Sequence, residues 1–195
     1  MNNKKAMASM PATLQQAGID CLEFSSDSLA MKELTGASIV RVHSLQDVLQ
    51  LDTGQCSGND PVTLCLRPKE WLLISETSSP GELMNNVQGK FEAEHTSVNG
   101  NSDGLAIFRL SGPGAPWLLS KLSGLDYLAG TAAGEHCART KMGHVAAIVH
   151  YHQTNEEQFV FDLVVDRSFA RYLWELLCES AAHADDLALA FGGAE

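Results

Sequence analysis

Three histidines fall within nine positions of one another: His144, His150 and His152. All three are even-numbered, so on one unbroken strand they project to the same face. Imidazoles on a common face are the first requirement of a zinc site. Spacing removes one of them. His144 and His150 stand about 20 Å apart along an extended strand, whereas imidazole nitrogens sharing one zinc ion lie roughly 4 Å apart. Only His150 and His152 are close enough to chelate. Two such ligands without a nearby cysteine or acid make a weak site, so the expectation is a polar strand end and no metal.

Other reactive residues point the same way. Cys137 follows His136, the pairing of a thiol nucleophile with its base. Adjacent residues of an extended segment point apart, however, and no third partner is evident. Cys65 and Cys178 lie within apolar patterns and read as core. Ser111-Gly112-Pro113-Gly114 precedes a helix start, where backbone amides can hold an anion. It lacks the full glycine spacing and the lysine of a phosphate loop, and Pro113 removes one donor. It reads as a packing turn. Asp162 and Asp166 flank a strand end, and Asp185-Asp186 sits near the C-terminus; none forms a pair that the sequence places in a cleft. No catalytic or cofactor-binding residue is therefore expected. Trp71, Trp117 and Trp174 sit in apolar elements and read as core, although aromatic residues are also enriched at partner surfaces. Arg67 and Arg109, at strand ends, are placed to pair with acidic residues across a subunit contact. With Trp71 and Arg139 they form the expected partner-interface set.

The elements that position these residues follow from pattern. Pro11 starts a short helix that Gly18 stops, and a strand is expected over 19–24. Ile39-Val40-Arg41-Val42 is a strand, after which Ser44 caps a helix over 45–51. Residues 53–61 form a loop. Strands over 62–66 and 71–75 make a hairpin with a four-residue connection. Ser79 and Pro80 open a helix that buries Leu83, Met84, Val87 and Phe91. Residues 97–103 are a polar break. A strand over 105–110, the glycine-rich turn and a helix ending near Gly124 follow, and 126–137 is irregular. Strands over 145–149 and 159–165 are joined by a turn at 153–157. Ser168 caps a final helix whose apolar face is Phe169, Tyr172, Leu173, Leu176 and Leu177. Both halves repeat a β-α-β-β-α order, which predicts an α+β fold of two similar subdomains, mainly antiparallel sheet with helices packed on it. The expected division is a lead-in over 1–18, subdomains over 19–96 and 97–183, and a tail over 184–195.

Composition bounds the function. A chain of 195 residues with 45% hydrophobic and 19% charged residues is long and apolar enough to bury its own core. Its formal net charge of -11 repels phosphate and anionic lipid, which argues against nucleic acid and membrane surfaces. No apolar run approaches the roughly 20 residues of a membrane span, and the N-terminus carries no signal-like apolar segment. The five cysteines are scattered, with no CxxC, as in a reduced, cytoplasmic protein.

Three stretches in order carry a resemblance: Leu66-Arg67-Pro68-Lys69-Glu70-Trp71-Leu72-Leu73, then Leu110-Ser111-Gly112-Pro113-Gly114-Ala115 with Leu118-Leu119, then Arg167-Ser168-Phe169-Ala170-Arg171-Tyr172-Leu173-Trp174 with Leu177. Cys137-Ala138-Arg139-Thr140 and Gly143 fit between the last two. Together they resemble the gamma subunit of heterotetrameric sarcosine oxidase over roughly residues 60 to 182. The segment at 97–102 departs from that family's pattern. The resemblance implies a fold similar to the folate-binding, N-terminal part of the glycine cleavage T-protein. It also implies a structural, non-catalytic subunit whose alpha, beta and delta partners hold FAD, FMN, NAD and tetrahydrofolate. Such a complex oxidatively demethylates sarcosine to glycine and passes the one-carbon unit to tetrahydrofolate. The alternative is a free-standing folate-binding protein of the T-protein type.

Overall fold

The computed structural model describes residues 13–19, 23–91, 95–127, 134–152 and 159–182. The elements are α1 (Thr13–Gln16), β1 (Glu23–Ser25), β2 (Ala30–Glu33), β3 (Ser38–Ser44), β4 (Cys56–Ser57), β5 (Val62–Arg67), β6 (Glu70–Ser75), α2 (Pro80–Lys90), β7 (Thr96–Gly100), β8 (Leu105–Ser111), α3 (Ala115–Leu122), β9 (His136–Met142), β10 (Val145–Tyr151), β11 (Val160–Asp166) and α4 (Ala170–Ala181). The expected turn at 153–157, the helix start at Pro11, most of the lead-in and the tail lie outside the described residues, as do residues 20–22 of the expected first strand.

The strands form two antiparallel sheets, ordered β1-β2-β8-β11-β10-β9 and β4-β5-β6-β3-β7. Period-two alternation gives each sheet two faces, and all four faces are put to use. The inner faces meet through Ile39, Val62, Leu64, Leu66, Leu72 and Ile74 from one sheet and Ile107, Cys137, Ile148 and Val164 from the other. The outer face of the five-stranded sheet packs Val40, Val42, Cys65, Trp71 and Leu73 against Leu83 and Val87 of α2. The outer face of the six-stranded sheet is covered by α1, α3 and α4, with Leu14, Leu118, Leu119, Leu173, Trp174 and Leu177 buried on it. The result is an α+β sandwich of helix, sheet, sheet and helix layers. No described helix is long and apolar enough to cross a membrane.

Local chemistry explains the elements that match expectation. Ser79 caps α2 in a reciprocal capping box with Glu82, and Pro80 occupies the first turn. Gly18 ends α1 with φ of 77°. Gly112 has φ of 107°, and a Cβ there would sit 2.5 Å from the Ser28 carbonyl oxygen. The turn of the Ser-Gly-Pro-Gly stretch is thus pressed onto the β1–β2 turn, and Gly114 N donates to the same carbonyl at 2.9 Å.

Several expectations are corrected. Residues 45–51 are not helical. The Ser44 hydroxyl accepts from Gln46 N in a local turn, Gln50 takes a left-handed φ of 51°, and Leu45 is 67% exposed. Val48, Leu49 and Leu51 still reach the core beneath α2. The hairpin connection is two residues long, Pro68 and Lys69, with a bulge between Cys65 and Arg67. The polar stretch after residue 96 forms an edge strand, because β3 supplies its hydrogen bonds. β2, the short β4 and all of β9 were not expected. Asp166, not Ser168, accepts the backbone N–H that opens the last helical segment. A 3-10 turn at Arg167–Phe169 then sets the phase of α4, so Ala170 and Trp174 face inward, while Phe169 and Tyr172 are 48% and 38% exposed. The sheets also cross the sequence division at residue 97: β1 and β2 extend the sheet of the second half, and β7 closes that of the first.

Candidate functional site

The inner face of the six-stranded sheet changes character along its length. On β8 the inward positions run from Ile107 to Arg109, on β10 from Ile148 to His150, and on β11 from Val164 to Asp162. The apolar members seal against the opposite sheet. The polar members line a cleft of about 390 Å³ between the two sheets, whose far wall includes Asp60, Val62, Ile74, Glu76 and Thr77. Antiparallel register assembles the cluster. Asp162 stands opposite Arg109 on one side and opposite His150 on the other.

Asp162 is the hub. Arg109 donates to its carboxylate twice, Nε to Oδ1 at 2.7 Å and Nη2 to Oδ2 at 2.8 Å. His152 Nε2 lies 2.7 Å from Oδ2, and His150 Nδ1 is 4.0 Å from the same oxygen. Burial alone would raise the Asp162 carboxyl, but the bonds from Arg109 and His152 outweigh it and hold its pKa at about 2. The bonds that Arg109 donates to Asp162 in turn keep the guanidinium charged, above its ordinary range, against the cost of its partial burial. Arg109 also reaches Glu76 on the opposite sheet at 2.8 Å, so one guanidinium ties the two layers together across the cleft. His150 is 1% exposed; burial and the neighbouring His152 ring lower its pKa, against a hydrogen bond from Nε2 to Glu135 at 2.8 Å. The neutral imidazole is therefore the favoured form. Its Nδ1 has no hydrogen-bond partner.

His150, His152 and Asp162 present one donor atom each, all within 4.8 Å of one another. The expectation of two histidines without an acid is thereby corrected. The acid is ten residues further along, on the next strand, and register brings it in. His144 is exposed at the far end of β10 and takes no part. The cluster is surrounded by Asp60, Glu76 and Glu135 with Arg109 as its single arginine, so the cleft is acidic.

The remaining sequence candidates disperse. His136 stacks on Tyr151 with ring centres 3.9 Å apart, while Cys137 turns into the core and donates to the Cys65 carbonyl at 3.6 Å; they point to opposite faces. The Cys56 thiol, held by Cys137 and half-buried, is pushed up and stays protonated. Of the expected partner-interface set, Trp71 is fully buried beneath α2 and offers no surface. Arg109 is committed to Asp162 and Glu76. Arg67 and Arg139 remain at the surface, 61% and 49% exposed, and both contact Glu70. Sequence reasoning named Asp162 but gave it no partner in a cleft, and it missed Glu76 and Glu135. The one signal was the placement of Arg109, His150 and Asp162 on inward, even-or-odd phases shared with apolar residues.

Comparison with known proteins places the chain in a family and its fold beside two solved structures. The model of the sarcosine oxidase, gamma subunit family matches residues 33–183. A chain of the heterotetrameric sarcosine oxidase from Corynebacterium sp. U-96, solved in complex with pyrrole 2-carboxylate, superposes with a TM-score of 0.71 at 17% identity, covering 94% of this chain and 97% of that one. The glycine cleavage system aminomethyltransferase T from Bartonella henselae superposes with a TM-score of 0.55 at 13% identity, over 77% of this chain and 45% of that one. No curated relative matches the sequence. The fold is therefore shared with sarcosine oxidase and with the T-protein.

Proposed function

The chain belongs to the sarcosine oxidase gamma subunit family, and we propose that it serves as a non-catalytic, structural subunit of a sarcosine-oxidase-like complex. The observation that carries this reading is the end-to-end superposition on one chain of a heterotetramer. The partners are an alpha-type subunit together with beta and delta subunits. These hold FAD, FMN, NAD and tetrahydrofolate, and the complex demethylates sarcosine oxidatively and passes the one-carbon unit to tetrahydrofolate. The acidic cleft suits this division of labour, since its carboxylates repel nucleotide phosphates and the glutamyl tail of a folate. Arg67 and Arg139 are the surface arginines offered to an acidic partner face. Cys56, Cys65, Cys137 and Cys178 are free thiols, in keeping with a cytoplasmic complex.

Co-expression with an alpha-type sarcosine oxidase subunit tests the reading. The isolated chain is expected to be colourless and inactive, and to co-purify in fixed ratio with the yellow flavoprotein. Failure to associate with any flavoprotein subunit encoded nearby sinks the proposal. The likeness to aminomethyltransferase T sustains one alternative, a free-standing folate-binding protein. Calorimetric binding of tetrahydrofolate by the isolated chain would favour it, and no heat at high micromolar folate removes it.

A further inference from the structure

We propose that His150, His152 and Asp162 form a binding site for a divalent transition-metal ion, opening onto the cleft between the sheets. Two imidazoles and one carboxylate are a donor set used for zinc and for non-haem iron. The geometry is close to what such an ion requires. His152 Nε2 and His150 Nδ1 lie 2.7 and 4.0 Å from Asp162 Oδ2. Those values bracket the about 3.3 Å that separates two donors bonded to one tetrahedral zinc ion.

The surroundings point to a ligand. His150 is 1% exposed, yet its Nδ1 is unsatisfied and lies 4.0 Å from Asp162 Oδ2. A buried polar atom of this kind is costly unless something meets it. Glu135 accepts from Nε2 at 2.8 Å. That bond assigns the proton to Nε2 and leaves the Nδ1 lone pair for a metal, the carboxylate–histidine–metal pattern of ligating histidines. Arg109 holds Asp162 through both oxygens and fixes the carboxylate in place, though its charge also opposes a cation. Glu76, paired with Arg109, offsets that opposition. His152 is 26% exposed, so the ion's remaining positions face the cleft and are open to water or a small ligand.

The test is equilibrium dialysis of the full-length chain against Zn²⁺ with metal analysis, together with the visible spectrum of the Co²⁺-loaded protein. Close to one equivalent of zinc is expected to remain bound, with cobalt bands of a low-symmetry, nitrogen- and oxygen-ligated ion. His152→Ala should weaken binding by more than about 100-fold, because even an outer partner of a ligand is worth roughly 10–100-fold. Glu135→Gln should weaken it by about 10–100-fold. His144→Ala, in the turn that precedes β10, should leave it unchanged, and circular dichroism confirms that each variant is folded. Well under one equivalent at high micromolar zinc overturns the proposal. So does binding that survives His152→Ala, or that is weakened equally by His144→Ala.

Discussion

Glu70 and Asp162 are both carboxylates with almost no exposure, 2% and 3%, and each gathers basic side chains from several strands. Their surroundings differ in sign and in depth. Glu70 meets the guanidiniums of Arg41, Arg67 and Arg139 and the ring of His43, so cations are in excess. Those cations sit at the rim, 28% to 61% exposed. Asp162 meets Arg109, His150 and His152, with Glu76 and Glu135 close behind, so carboxylates are in excess. Its partners, one arginine and two imidazoles, lie inside, 1% to 26% exposed. Glu70 thus acts as a pin: Arg139 of β9 crosses from one sheet to the other to reach it. Asp162 acts as the floor of an open, acidic cleft. Two buried carboxylates have the same chemistry, and it is the exposure and number of their partners that separate a fastening from a site.

The contrast yields an order of effects, measured by chemical denaturation. Asp162→Ala leaves Arg109 and two imidazoles without their hub in a desolvated place. The expected loss is about 3–5 kcal/mol, the usual result of breaking a buried pair from one side. Glu70→Ala releases cations that can turn into water, and about 1–3 kcal/mol is expected. A larger loss at Glu70 than at Asp162 would invert the comparison and show that the rim arginines are held as tightly as Arg109. Arg139→Ala removes one exposed member of the Glu70 group and should change stability by less than about 1 kcal/mol. A loss beyond that would mean that the cross-sheet contact is a principal fastening.

The smallest effect is at Asp60, on the cleft's outer wall. Hydrogen bonds from the Thr77 and Ser75 hydroxyls hold its carboxyl below the usual range. A depressed folded pKa contributes stability that is present above the unfolded value, about 3.9, and is lost as pH falls through the folded one. Asp60→Asn should therefore be slightly less stable than the parent at neutral pH, with the difference closing in acid. A difference unchanged down to pH 2 would show that the carboxylate's charge plays no part.

Much of the fold was readable because it is local. The strand, turn and helix around Ser111-Gly112-Pro113-Gly114 follow from an apolar run, glycines and a proline at the first helical turn. The α2 start follows from Ser79, Pro80 and Glu82, and the hairpin of β5 and β6 from two apolar runs around Pro68. Elements stabilised from elsewhere were not readable. β7 carries one apolar residue, Val98, and is a strand because β3 lies beside it. Residues 45–51 have helical spacing, yet Ser44 and Gln50 take other conformations once Val48, Leu49 and Leu51 are drawn to the core. In α4 the sequence showed the amphipathic pattern, but the 3-10 turn decided its phase, and so whether Phe169 or Ala170 faced inward.

The candidate site divides along the same line. By itself the sequence determined that His150 and His152 share a face, that the chain is acidic, and which family it resembles. Each of these rests on residue type and short spacing. Only the tertiary structure decided that Asp162 stands between Arg109 and His150, that Glu76 closes the cluster from the opposite sheet, and that Trp71 is buried. Arg109 and Asp162 are 53 residues apart in the chain. What joins them is the register of β8 against β11, and a slip of one residue in either strand would turn the pair to opposite faces.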